Sequence, residues 1–244
     1  MRYYIGIDDT DNLESRGTGF HARSLGLSLM KAGLFELKSI TRHQLLADRR
    51  IPFTSHNSSA CLFGESDADV NIIASHCRDF LLEVSTFDSD AGLCIANPDY
   101  LSNQIIEFGN RAKSEVLTLE EACELAADHG IYLEGFLNTR LGMIGSLSAV
   151  GLRYEGNDGR LLWTPNLREL EGIHYLTEIK ELTGIERIVD MNDTDLPNDT
   201  KIKIGEWCRP VMRKGFITLV TEKSDNLHNE YRPASKEHIK SISE

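Results

Sequence analysis

Apolar positions along the chain fall into short runs that switch between the strand period and the helix period. Residues 2–7 (RYYIGI) read as a buried strand with Tyr3, Ile5 and Ile7 on one face. A polar loop over 8–16 follows. Residues 20–32 then carry Ala22, Leu25 and Leu29 at helical spacing, and Gly33 is placed to stop the helix. Strand, loop and helix in that order bring a strand carboxyl end and a helix amino end into one crevice, where α/β proteins build ligand sites. The pattern further predicts a strand over 60–63 and a helix over 69–82 with Val70, Ile73, Cys77 and Leu81 on one face. Another strand is predicted over 92–96, ending at Asn97-Pro98. Thr118-Leu119-Glu120-Glu121 is a capping box that opens a helix closed by Gly130. Residues 143–150 form a short apolar helix after a turn rich in Asn, Arg and Gly, and late strands are predicted over 187–191 and 216–221. There is no repeat and no low-complexity tract. Residues 192–200, polar and containing Pro197, read as a loop or minor boundary, and the charged tail after Glu222 is expected to be mobile.

Composition narrows the classes. The 244 residues are 41% hydrophobic, ample for a buried core in one or two domains. Lys and Arg total 26 against 38 Asp and Glu, a formal charge of -12 with pI ≈ 5.1. That balance argues against a protein held to nucleic acid chiefly by phosphate attraction, while leaving room for a local basic groove. No apolar run approaches the roughly 18 residues that span a bilayer, and the N-terminus enters a strand instead of a signal peptide. A cytoplasmic protein with no membrane partner is expected. Cys61, Cys77, Cys94, Cys123 and Cys208 are scattered and never form a C-x-x-C pair, which excludes a zinc ribbon and points to reduced cysteines.

The chemistry concentrates in IGIDDTDN, residues 5–12. Asp8, Asp9 and Asp11 crowd the end of a buried strand, where mutual repulsion calls for raised pKa values or a bound cation. Oxygen ligands of this kind suit Mg²⁺ held together with substrate phosphates; a solvated acidic turn with a capping aspartate is the competing reading. An EF-hand loop is excluded by Leu13 and Glu14, and a phosphatase-type D-x-D-x-T pattern by Leu13. Gly17-x-Gly19-x-x-Ala22 matches a dinucleotide fingerprint in form only, because Gly17 lies ten residues beyond Ile7. Gly17-Thr18-Gly19 at a helix start can instead present backbone N–H groups to an anion, with Arg16, Thr18 and His21 within reach of phosphate oxygens. Carboxylates beside such a cradle make sense when Mg²⁺ bridges them to the phosphates.

Four segments recur in order: IGIDDTD, IPFTSHNSSACL (51–62), Asn97-Pro98 and LNTRLGMIGSLSAVG (137–151). Over roughly residues 1–220 they resemble the archaeal isoleucine-tRNA 2-agmatinylcytidine synthetase family. The resemblance implies an α+β protein with an ATP- and Mg²⁺-using kinase-like domain over 1–110 and a ferredoxin-like, agmatine-binding domain over 111–244. It places the metal on Asp8, Asp9 and Asp11, and a small polar nucleotide loop on Ser55, His56, Asn57 and Ser58. The substrate region falls on Asn97, Asn138, Arg140 and Gly142. The sequence also departs from the family. A threonine pair, one member of which is phosphorylated during that family's reaction, is replaced by Phe20 and His21, with Thr18 nearby at another offset. Thr54 stands where a lysine is expected, and Asp99 where a glycine is. Too few residues remain for the family's OB-fold and zinc ribbon.

Other charged residues have plain readings beside functional ones. Asp88 and Asp90 offer charge to a diamine or form an exposed turn. Arg42, His43, Arg49 and Arg50 touch a triphosphate or are a solvated loop. Asn138, Arg140 and Gly142 shape an amine pocket or serve as turn and cap. The expectation is an ATP- and Mg²⁺-dependent enzyme with Asp8, Asp9, Asp11 and Thr18 as its catalytic residues. It activates an acceptor by phosphoryl or nucleotidyl transfer and couples an amine such as agmatine or a polyamine, with tRNA not the substrate. The contrasting expectation is a non-catalytic module that binds agmatine or a polyamine. The acceptor and the oligomeric state are not legible in the sequence.

Overall fold

The computed structural model describes residues 1–53, 56–224 and 230–243, which divide into two compact units, Met1–Glu155 and Gly156–Glu244. The first unit runs β1 (Arg2–Asp8), α1 (Thr18–Lys31), β2 (Glu36–Gln44), β3 (Ser58–Glu65), α2 (Val70–Val84) and β4 (Gly92–Ala96). It continues through a 3-10 turn (Pro98–Tyr100), α3 (Asn103–Arg111), α4 (Leu119–Asp128), β5 (Tyr132–Gly135) and α5 (Gly142–Glu155). Its strands stand in the order β5-β4-β1-β3-β2, each antiparallel to its neighbours. The run β1-α1-β2-β3-α2-β4 with β1 between β4 and β3 is the split βαβ arrangement of a ferredoxin-like sheet. It occupies the first 96 residues, and the expected boundary at 110/111 falls inside α3.

Local signals set the helix starts. Asp69 caps α2 by accepting the Asn71 N–H at 2.8 Å, and Ser102 caps α3. Thr118 and Glu121 form the reciprocal capping box at α4. Every β1 residue after Arg2 is buried or nearly so, because both faces of the sheet are covered. Tyr3, Ile5 and Ile7 point to one side. There α1 lays Gly26 against Leu37, Ile40 and Leu62. Tyr4, Gly6 and Asp8 point to the other side, towards α5. Helix α5 is buried on nearly its whole circumference, which is what its near-continuous apolar sequence requires. Its backbone comes down directly on the sheet. A Cβ on Gly6 would lie 2.0 Å from the Ser146 carbonyl oxygen, and one on Gly92 would lie 2.1 Å from the Gly142 carbonyl carbon.

The second unit comprises β6 (Arg160–Trp163), β7 (Gly172–Tyr175), α6 (Leu176–Thr183), β8 (Arg187–Val189), β9 (Lys201–Ile204), β10 (Val211–Arg213), β11 (Phe216–Lys223), β12 (Glu230–Pro233) and α7 (Lys236–Ser243). Its strands follow the order β6-β10-β11-β12-β9-β7, with β8 parallel to β11, around a core that includes Leu161, Ile179, Ile202 and Leu219. The segment after Glu222, expected to be mobile, instead contributes β12 and α7. Ala234 and Ile239 are buried there with Val189 and Val220, so apolar anchors override the segment's overall charge. Residues 192–200 are a loop, as expected, tied by Asp190 accepting the Asn192 and Thr194 N–H groups. The α+β class holds. Among the described residues no helix is long and apolar enough to cross a membrane, and all five cysteines are free, four of them buried.

The α5 contact gives a direct test of the packing. Gly6→Ala forces a methyl group into the Ser146 carbonyl and is expected to cost about 3 kcal/mol by overpacking. Gly17→Ala, with nothing within 4 Å of the new methyl, is expected to cost under about 1 kcal/mol. Urea denaturation of both variants checks the ordering, and equal losses would contradict it.

Candidate functional site

Strand β1 delivers Asp8 on the α5 face at the strand's carboxyl end. Its carboxylate lies against Gly145, where a Cβ would fall 1.8 Å from Oδ2, so only glycine admits it there. The Asp8 carboxylate accepts the Asp9 backbone N–H. Burial, reinforced by the Asp9 and Asp11 charges, nevertheless pushes its pKa well above the ordinary carboxylate range. The chain then turns through Asp9, whose φ of 49° lies in the left-handed region. Asp9 Oδ2 accepts the Asp90 N–H at 3.1 Å. Burial raises the Asp9 pKa to about 6 against the opposing effect of that hydrogen bond, with the Asp90, Asp11 and Asp88 charges adding to the rise.

Asp11 reaches forward to the start of α1. Its Oδ1 accepts the Thr18 N–H at 2.8 Å and the Thr18 hydroxyl at 2.6 Å, so the aspartate caps the helix from outside it. Thr10, fully buried between them, sits 3.2 Å from Thr18 Oγ1 and 2.8 Å from His21 Nδ1.

A cleft of about 210 Å³ opens above this turn. Asp8, Asp9, Asp11 and Thr18 form one side, and the first turn of α5, Gly142 to Gly145, closes the base. Leu45, Val116 and Leu117 supply apolar wall, while Arg50, Phe53, His56, Asn57 and Ser58 line it from the segment after β2. Of the residues singled out in the sequence, Asp8, Asp9, Asp11, Thr18, Arg50, His56, Asn57, Ser58 and Gly142 therefore meet around one cavity. Ser55 lies outside the described residues. Asn57 holds the wall in place, its side-chain N–H donating to the Leu46 carbonyl at 2.7 Å.

The other expected residues sit elsewhere. Arg16 is exposed and stacks over the Phe20 ring at 5.2 Å, Gly17 is exposed, and the Gly19 carbonyl accepts from Arg23. The Thr18 N–H, expected to face phosphate, is taken by Asp11. His21 is buried on Thr10 and does not line the cleft, so of residues 16–21 only Thr18 lines it. Asn97 caps the 3-10 turn by accepting the Asp99 N–H. It follows Ala96, which pairs with Tyr4, whereas Asp8 pairs with Gly92 at the other end of the strands. Asn138 donates to the Phe87 and Ser89 carbonyls, and Asp90 accepts the Thr139 and Arg140 N–H groups and the Thr139 hydroxyl. Residues 138–140 are thus a turn braced on Asp90, and Arg140 itself has a φ of 61°.

Among the described residues no three Asp, Glu, His or Cys side chains converge as a ready metal-ligand set. The expected Asp8–Asp9–Asp11 triad is not preassembled, because Asp11 is turned to Thr18 and Asp9 to Asp90. Sequence reasoning also missed the wall residues Leu45, Val116 and Leu117 and the role of Gly145. The Gly142-x-x-Gly145 spacing at a helix start was the available signal for the latter.

The fold is similar to that of TiaS, an isoleucine-tRNA agmatidine synthetase. The complex of TiaS with its tRNA and ATP aligns with a TM-score of 0.56 and 24% identity over 62% of this chain and 36% of the TiaS chain. Apo TiaS aligns with 0.54 and 23%, and a tRNA fluorescent labelling enzyme with 0.55 and 24%, both over 62% of this chain. The matched part spans little more than a third of the TiaS chain. No protein-family model matches the sequence, and no curated protein matches it.

Asp9 makes the cost of the carboxylates measurable. An acid whose folded pKa is raised holds a proton in the native state that the unfolded chain has already lost, so stability falls as pH rises from about 4 through about 6. At pH 7.5 Asp9→Asn is expected to be more stable than wild type by about 2 kcal/mol. Below pH 4 that pH-linked gain disappears. Urea denaturation at the two pH values reads it, and an advantage independent of pH would contradict the assignment.

Proposed function

We propose that this chain is an ATP- and Mg²⁺-dependent group-transfer enzyme that activates a small-molecule acceptor by phosphoryl or nucleotidyl transfer and couples an amine of the agmatine or polyamine class to it. The observation that carries this reading is the Asp8 carboxylate, buried against Gly145 at the base of the cleft with the Asp9 N–H as a donor and two further carboxylates beside it. A buried carboxylate in this state favours either a proton or a cation. Asp8 and Asp9 are hard oxygen donors suited to Mg²⁺, which keeps waters and phosphate oxygens as its other ligands. When bound, Mg²⁺ neutralises charge on the transferring phosphate.

The chain's own residues do the rest. The amino end of α5 gives positive potential for a triphosphate, Arg50 lines the cleft with its guanidinium held on Asp48 by two hydrogen bonds of 2.9 Å, and Leu45, Val116 and Leu117 give apolar surface for a base. Thr18 faces the same cavity with its hydroxyl held on Asp11. In phosphoryl transfer such positioning and charge balance supply most of the catalysis. Structures of similar fold carry ATP with tRNA in one case and AMPCPP with tRNA and agmatine in another, which supports the ligand classes. The net charge of -12 supports a small acceptor over tRNA. A second reading, an amine-binding module without catalysis, is favoured by Phe20 and His21 standing where the resembled family has its threonine pair.

Calorimetry and phosphate release test these readings together. Wild type is expected to bind ATP at least tenfold more tightly with Mg²⁺ than without, and Asp8→Asn/Asp9→Asn to lose that difference. Release of phosphate (phosphoryl transfer) or pyrophosphate (nucleotidyl transfer) is expected only with an acceptor and an amine both present. Amine binding without any ATP turnover selects the second reading. Filter binding at physiological salt is expected to show no submicromolar tRNA affinity; tight, salt-sensitive retention would place tRNA back among the substrates.

A further inference from the structure

The turn that carries the carboxylates is held by a buried chain of hydrogen bonds that no cleft ligand explains: His21 Nδ1, Thr10 Oγ1, Thr18 Oγ1 and Asp11 Oδ1, with successive separations of 2.8, 3.2 and 2.6 Å. Its polarity follows from the Asp11 end. Asp11 Oδ1 accepts the Thr18 backbone N–H, a group that can only donate, and the 2.6 Å contact to the Thr18 hydroxyl is the length of a charge-assisted O–H···O⁻ bond. Thr18 therefore gives its one hydroxyl proton to Asp11, and its oxygen accepts from Thr10, whose hydroxyl lies 3.2 Å and whose backbone N–H lies 3.4 Å away. With the Thr10 hydroxyl proton directed at Thr18, Thr10 Oγ1 accepts from His21 at 2.8 Å, and the neutral imidazole then carries its one ring proton on Nδ1.

We propose that His21 is a positioning residue that donates through Nδ1–H and, through Thr10, fixes the Thr18 hydroxyl on Asp11 at the edge of the cleft. This role rests on the functional reading only in its effect on turnover; the hydrogen-bond direction stands without it. Burial of the ring, 6% exposed, lowers the His21 pKa and so agrees with a neutral imidazole, with Asp11 opposing that shift. Histidine suits the task because its donor is rigid and reaches Thr10 from the first turn of α1. Phenylalanine or leucine at this position leaves Thr10 Oγ1 a buried acceptor without a donor, which frees the Thr10 hydroxyl to turn away from Thr18.

Long-range ¹H–¹⁵N correlation spectra of the full chain at pH 7.5 test the direction. The His21 signal, assigned by its loss in His21→Asn, is expected to show a protonated Nδ1. A bare Nδ1 overturns the proposal, because Thr10 would then have to donate to the ring. Thr18→Val removes the acceptor of the Thr10 hydroxyl and is expected to move the ring proton to Nε2, whereas Thr18→Ser keeps it on Nδ1. An unchanged Nδ1–H in a folded Thr18→Val also overturns the relay, since a merely packed histidine would not respond. For turnover, His21→Leu is expected to lower kcat tenfold or more at a KM for ATP within twofold. His21→Asn, whose amide donor can stand in for Nδ1–H, is expected to recover at least a third of the rate. Equal kcat losses in both variants reject the positioning role, while a wild type without turnover removes the functional reading and leaves the spectra to decide the relay.

Discussion

The backbone of α5 lies directly on β1 and β4, and that contact sets the place of Asp8 and of the helix start at the base of the cleft. It requires small residues on both sides: Gly6 and Gly92 on the strands, Gly142 and Gly145 on the helix. Each glycine carries an entropic cost on folding of the order of 1 kcal/mol relative to alanine, which close backbone packing has to offset. The same contact removes water from Asp8. With no side chain at position 145, the carboxylate rests against helix backbone instead of solvent, and its raised pKa is the electrostatic consequence of a packing decision.

The remaining acids are managed one at a time. Asp90 is tied by geometry, accepting two backbone N–H groups and the Thr139 hydroxyl, and so fixes the turn that leads into α5. Asp9 receives the Asp90 N–H and lies in a left-handed conformation that aspartate tolerates better than most side chains. Asp11 commits its charge to the start of α1. Asp8 and Asp9, each buried with one backbone N–H donor, keep raised pKa values. A cluster arranged this way stores destabilisation at these two carboxylates and stabilises the frame with Asp11 and Asp90.

Much of this was legible in residues. The strand 2–7 and its faces, the helices over 20–32 and 69–82, the capping box at Thr118 and the late strands over 187–191 and 216–221 all appear close to where the periodicity puts them. Their signals are local, and local signals survive folding. Strand β2 and helix α3 were not predicted. In β2 the polar residues Lys38, Ser39, Thr41, Arg42 and His43 mask the apolar alternation, and the bulge at Lys38 breaks its register. In the site, the crowding of Asp8, Asp9 and Asp11 was readable as an electrostatic problem, but its partial solutions were not. Asp90, Thr18 and the Gly145 backbone reach the acidic turn only through tertiary structure.

The two helix starts show why a glycine motif alone misplaces a phosphate site. Gly17-Thr18-Gly19 has the composition of an anion cradle, yet the Thr18 N–H is occupied by Asp11 and neither glycine lines the cleft. An anion there would have to displace a carboxylate already seated on the helix dipole, an exchange with little net gain. In helix α5 no carboxylate among the described residues sits on the Gly142, Met143 or Ile144 N–H groups. Its first N–H groups are met by the neutral carbonyls of Asp90, Arg140 and Leu141, so the positive end of its dipole still faces the cavity. Buried Asp8 sits beside that end, which lowers the cost of its charge, but the carboxylate and an incoming phosphate then compete for the same field. On the function proposed above, a cation between them would resolve the competition, and that requirement, more than the number of aspartates, would tie the acidic turn to the glycine-rich start of α5.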